Sequence, residues 1–108
     1  MLLNITEDQM AEYLYQHGPL AVCVNALPWM TYTHGVFSGS CPAKLNHCSL
    51  LVGYGVDSKV SPAEPYWIIK NSWGVDWGMD GYLWLKRGID QCGITKLVST
   101  AVINSSNF

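Results

Sequence analysis

The sequence predicts an α+β fold: a short N-terminal helix followed by a twisted antiparallel sheet that forms a partly closed barrel. Three observations carry this prediction. Apolar spacing of helical period occurs once, near the start of the chain. Every later apolar run has the length of a strand and is bounded by Gly, Pro, Asn or Ser clusters. Two of these runs flank a punctuated loop, as the arms of a hairpin do. With 108 residues, the chain is expected to form one domain over residues 1–108, in a size range where burial is limited.

The elements follow in order. Thr6-Glu7-Asp8-Gln9 has the form of a capping box, with acidic residues in the first turn where the helix dipole favours them. Met10, Tyr13 and Leu14 recur at helical spacing until Gly18-Pro19 stops the element, predicting a helix of about three turns whose apolar stripe packs on the sheet. His17 at its end complements the helix dipole as a surface residue. Residues 20–24 are wholly apolar, as in a buried strand, and residues 25–33, with Pro28, Trp29 and Tyr32, read as an irregular or single-turn segment. His34-Gly35-Val36-Phe37 resumes an extended path into the turn cluster Ser38-Gly39-Ser40-Cys41-Pro42. Residues 49–54 and 66–70 are the hairpin strands, joined by a loop carrying Asp57, Ser58, Pro62 and Pro65. Residues 73–81, with three glycines and two tryptophans, form a tight packed loop. Residues 81–87 read as a strand, 88–92 as a turn and 97–103 as the last strand. There is no internal repeat.

The hairpin brings two chemically useful residues together. If it is centred near Lys59, His47 faces Asn71 across the ladder with Cβ atoms roughly 5 Å apart on one face. The loop is too long to fix register by turn type, and a slip of one residue breaks the pairing. A histidine held by an amide oxygen keeps one tautomer and offers its other ring nitrogen to a nucleophile's proton. The plain alternative is an ordinary strand histidine and a strand-end asparagine.

Composition excludes several classes. Apolar residues make up 49% and charged residues 13%, the formal net charge is -2, and the six Lys and Arg are scattered, so no basic patch points to nucleic acid. No run of 18 apolar residues spans a membrane. Met1-Leu2-Leu3 is followed at once by Asn4 and acidic residues, unlike a signal peptide, and the chain reads as a piece of a longer protein. No Cys-x-x-Cys or His-x-x-x-His spacing points to a metal, and no cofactor is expected.

Gly18-Pro19-Leu20-Ala21-Val22, the run from Leu45-Asn46-His47-Cys48 to Gly53-Tyr54-Gly55, and Lys70-Asn71-Ser72-Trp73-Gly74 with Trp77-Gly78 and Gly81-Tyr82 closely resemble the second half of papain-like cysteine peptidases, the cathepsin family. The resemblance covers residues 3–103, and Trp29-Met30-Thr31-Tyr32 gives it the texture of the cathepsin L and F branch or its protozoan relatives. It implies that His47 is the general base, that Asn71 orients it, and that Trp73 and Trp77 shield the pair, although both tryptophans also read as core aromatics. The nucleophilic cysteine of the family sits in the first half. None of Cys23, Cys41, Cys48 and Cys92 stands in a comparable context, and Cys48 points to the strand face opposite His47. The resemblance therefore implies a base without its nucleophile, inactive alone.

The resemblance also pairs Cys41 with Cys92, a bridge that stabilises by roughly 4 kcal/mol through the unfolded state and belongs to an oxidising compartment. It places Cys23, Leu45, Asn46, Cys48, Trp73 and Leu97 on the substrate-binding side. Cys23 and Cys48 line the pocket for the side chain two residues before the scissile bond, with Leu97 as an apolar floor favouring Leu, Val or Phe. As plain residues, Cys23 and Cys48 are small buried hydrophobes. Asn46 replaces an aspartate common in relatives, which slightly weakens the field favouring a protonated imidazole. Asn4-Ile5-Thr6 and Asn104-Ser105-Ser106 are N-glycan acceptor patterns. Two functional classes remain. One is half of an endopeptidase of lysosomal or secreted origin, whose partners are the missing N-terminal half and a peptide or protein substrate. The other is a non-catalytic binding or self-associating module.

Overall fold

The computed structural model describes residues 2–100. Strand β1 (Leu2–Leu3) precedes helix α1 (Glu7–His17); β2 (Leu20–Val24), a 3₁₀ turn over Leu27–Thr31 and β3 (Val36–Phe37) follow. Then come the long β4 (His47–Asp57), β5 (Glu64–Lys70), β6 (Tyr82–Lys86), a 3₁₀ turn over Gln91–Gly93, and β7 (Leu97–Thr100). The single seven-stranded sheet has the order β1-β7-β2-β4-β5-β6-β3. Asn104 and the expected continuation of the last strand over 101–103 lie outside the described residues.

The mixed helix-and-sheet class agrees with expectation; two details differ. The sheet is open: β1 and β3 form its two edges and, among the described residues, do not pair with each other, so the expected partly closed barrel does not form. Both edge strands are only two residues long, too short to carry the sheet round to closure. Moreover, β3 pairs parallel to β6, whereas the other ladders are antiparallel.

The helix begins at the capping box. Thr6 Oγ1 accepts from the Gln9 amide at 3.2 Å, and Gln9 Oε1 accepts from the Thr6 amide at 2.8 Å. Met10, Ala11 and Leu14 are buried against the sheet with Leu20, Val22, Val24, Leu51, Trp67, Ile69, Leu83, Leu85 and Val98. Glu7 ties the helix start to distant chain: its carboxylate accepts from Trp67 Nε1 (2.8 Å) and from the amides of Gly88 (2.8 Å) and Asp90 (2.7 Å).

Among the described residues, the helix covers only one face of the sheet. In β2 the buried residues are Leu20, Val22 and Val24, while Ala21 and Cys23 are half-buried. Thus the wholly apolar run 20–24, expected to be a buried strand, is buried on alternate residues only. Its other face, continued across the sheet by Leu50 and Ile68, is partly open.

The register of β4 against β5 differs from expectation. Leu50 pairs with Lys70 and Leu51 with Ile69, but after an irregularity at Val52 the pairs are Gly53–Ile68 and Tyr54–Trp67. Continuing the Leu50–Lys70 pairing by one residue sets Ser49, not His47, beside Asn71. The displacement is two residues, and because side chains alternate with period two, His47 stays on Asn71's face.

Candidate active site

His47 opens β4, opposite the buried Val24 of β2, and Asn71 follows directly on β5. Their side chains meet diagonally: His47 Nε2 lies 2.6 Å from Asn71 Oδ1. The same oxygen accepts from the Ser72 amide at 2.8 Å and from Ser49 Oγ at 3.3 Å. A backbone N–H only donates, so the Ser72 contact identifies the atom facing the ring as oxygen. His47 Nε2 must then carry a proton, which leaves Nδ1 as the basic nitrogen. Asn71 is 7% exposed, its backbone amide donates to the Gly81 carbonyl at 3.0 Å, and its Nδ2 is buried without a partner among the described residues.

Aromatic rings hold the imidazole on two sides. Trp29, fully buried, meets it edge-on at 6.3 Å between centroids, and Trp73, 38% exposed, lies over it at 5.2 Å. Trp77 packs edge-on against Trp73 at 5.1 Å and donates Nε1–H to the Trp29 carbonyl at 2.9 Å. Gly78 makes this loop possible. Its φ is +60° and a Cβ there would sit 2.7 Å from the Tyr82 carbonyl. Tyr32, beside Trp77, donates its hydroxyl to the Gly35 carbonyl at 2.6 Å, and burial pushes its phenol pKa up against the opposing Trp84 amide bond.

Asn46 anchors the segment that carries Trp29. Its Oδ1 accepts from the Ala26 amide at 3.0 Å and its own amide donates to the Val24 carbonyl at 3.0 Å. The buried Asn25 adds bonds to the Lys44 carbonyl (2.5 Å) and the Leu27 amide (3.1 Å). Sequence reasoning missed Trp29 and Asn25 as parts of the site's support. The cue was an aromatic and an amide flanking Pro28, in a segment whose lack of periodicity hid its burial.

All four cysteines are bridged. Cys41 joins Cys92, and Cys23 joins Cys48 across the β2–β4 ladder, where the two are directly opposed with Cα atoms 4.0 Å apart. The plain reading of Cys23 and Cys48 as small buried hydrophobes is thereby corrected: opposed positions on adjacent strands bring their sulfurs together, and Cys48 is exposed. With every sulfur bonded, the chain itself holds no thiol for His47 Nδ1 to deprotonate. Cys48 lines an open, largely apolar groove of about 540 Å³ with Ala21, Ser49, Leu50, Lys70 and Asn71. Leu97 lies opposite Cys23 on β7, whereas Leu45 is half-buried beside Gly93. A second recess of about 170 Å³ lies between Leu27, Met30, Asn46, His47 and Trp73. Among the described residues, no three His, Cys, Asp or Glu side chains cluster to hold a metal ion, and no helix is long and apolar enough to cross a membrane.

A family model described as papain family cysteine protease matches residues 2–102. Cysteine proteinase 1 of Dictyostelium discoideum is 46% identical over 99 residues, covering 90% of this chain and 29% of that protein. Mouse cathepsin F is 44% identical over 106 residues, covering 94% of this chain and 22% of that one. Among solved structures, a digestive procathepsin L 3 from Tenebrio molitor larval midgut superposes with a TM-score of 0.80 at 38% identity, covering 92% of this chain and 33% of that one. The chain thus spans between about a fifth and a third of the length of these relatives.

Proposed function

The chain belongs to the papain family of cysteine proteases, and we propose that it supplies the base and orienting residue of a cysteine endopeptidase whose thiol stands on a preceding segment. The observation that carries this reading is the His47 Nε2–Asn71 Oδ1 contact, with the Ser72 amide fixing the carboxamide's orientation. Nδ1 then takes the proton of an incoming cysteine thiol. The thiolate attacks the peptide carbonyl, and Nδ1–H returns the proton to the leaving amine. Water, deprotonated at Nδ1, next releases the acyl group from sulfur. Trp73 and Trp77 limit water at the imidazole. Alone, without a thiol, the chain does not turn over substrate.

The apolar groove beside Asn71 and the bridged pair Cys23–Cys48 support a preference for an apolar side chain two residues before the cut, with Leu97 as its floor and Leu45 and Asn46 flanking it. The bridges fit a lysosomal or secreted parent, and an exposed Asn4 ahead of the helix fits N-glycosylation. A second reading, a non-catalytic binding or self-associating module, draws on the half-covered apolar face through Ala21, Leu50 and Ile68.

Mixing this chain with the cysteine-bearing half of a papain-family relative and assaying a Leu- or Phe-containing fluorogenic peptide separates the two. Thiol-dependent cleavage is expected. Association of the halves without turnover supports the second reading, as does a mass that rises with concentration in the chain alone.

A further inference from the structure

We infer that the Cys23–Cys48 bridge is a thiol-exchange site at which a small thiol bearing a carboxylate is taken up on Cys48. The two bridges differ in access at one end: Cys41 is half-buried, as Cys23 is, but their partners differ. Cys92 is 7% exposed in the core, and the Gln91 side-chain amide lies 3.5 and 3.7 Å from the sulfurs of Cys41 and Cys92. Cys23–Cys48 spans neighbouring strands on the sheet's open face, with Cys23 half-buried and Cys48 exposed. Exchange requires a thiolate to reach a bridge sulfur, so access favours this bridge and, within it, Cys48.

The surroundings of Cys48 select the thiol. It lines the groove of about 540 Å³ whose other walls include Ala21, Leu50 and Lys70, and Lys70 is the one charged residue among those lining it. The apolar walls accept the adduct's carbon chain, and the Lys70 ammonium attracts an anionic thiol and pairs with its carboxylate. In the exchange step the incoming thiolate bonds to Cys48 Sγ. The Cys23–Cys48 bond breaks, and its electron pair leaves on Cys23 Sγ, which takes a proton from water. A second thiol then attacks the adduct, leaves with the first as a disulfide, and frees Cys48. Two thiols are oxidised as one bridge is reduced. The bridge is one residue from His47, so exchange removes a covalent tie from the strand end that carries the imidazole.

The oxidised 108-residue chain is incubated with graded reduced glutathione, quenched with acid, alkylated and mapped by peptide mass spectrometry. A glutathione adduct on Cys48 with an alkylated Cys23 is expected at concentrations about tenfold or more below those that open Cys41–Cys92. The Lys70→Gln variant forms this adduct about two- to threefold more slowly at low salt, a difference that fades at high salt. Opening of Cys41–Cys92 first or together with Cys23–Cys48, an adduct carried on Cys23, or a rate indifferent to both Lys70→Gln and salt overturns the inference.

Discussion

Asn71 concentrates the site's polar chemistry in one oxygen, which receives the His47 ring, the Ser72 amide and the Ser49 hydroxyl. Replacing it with alanine leaves a ring N–H and a backbone N–H without their acceptor in a partly buried setting. Asn71→Ala is therefore expected to cost about 1–3 kcal/mol in unfolding free energy, measured by urea denaturation. It is also expected to mix the tautomers of His47, seen as averaged ring-nitrogen shifts in ¹⁵N NMR. Unchanged shifts would show that the carboxamide does not orient the ring. The nearness of His47 and Asn71 was legible from the alternation of strand side chains, because a displacement of two residues keeps both on one face. The register itself was not legible. The irregularity at Val52 makes the pairing at the loop end of β4 differ by one residue from that near His47, and its one local sign is Gly53, a glycine inside a strand, which does not say how far the register moves. The Cys23–Cys48 bridge was within reach of the sequence only once β2 and β4 were known to be neighbours.

At the level of elements, the helix shows what local sequence reveals and what it hides. Thr6 and Gln9 satisfy each other within one turn, so the cap could be read directly. Glu7 binds groups 60 to 83 residues away, and its role depends on a topology that no local pattern encodes. Asp90 plays a similar part in the β6–β7 connection. Its Oδ1 accepts from the Thr95 amide and hydroxyl, both at 2.8 Å, while Oδ2 pairs with Lys96 at 3.1 Å. Burial pushes the Asp90 carboxyl up, but the Thr95 bonds and the Lys96 ammonium outweigh it, and its pKa ends below the ordinary value of 3.8. A depressed carboxylate stabilises the fold above its unfolded pKa, and that contribution is lost as pH falls through the folded value. The stability gap between the wild-type chain and Asp90→Asn is accordingly expected to be constant near neutrality and to shrink in acid below the ordinary carboxylate range. A gap that widens in acid would contradict the assignment.

Among the described residues, one sheet face carries the helix and the core, and the other carries half-buried apolar residues. The all-apolar composition of β2 reads in this light as a strand suited to cover on both sides, with one cover present. Leu50→Lys on the open face is expected to change unfolding free energy by less than about 1 kcal/mol. If the proposed function holds and a cysteine-bearing half docks on this face, the same substitution is expected to weaken its capture by about tenfold or more, measured by titration calorimetry. A large loss of stability with unchanged capture would place Leu50 in the core instead. The exposed ring of Trp73, 5.2 Å from the imidazole, has a consequence of another kind. Emission from an indole is quenched when a neighbouring imidazole gains its proton, so this base has a built-in lamp that dims as it charges. An acid titration of the fluorescence reads the state of His47 with no peptide and no thiol present, and Trp73→Phe is expected to remove the larger part of that signal, leaving the share of the more distant Trp29.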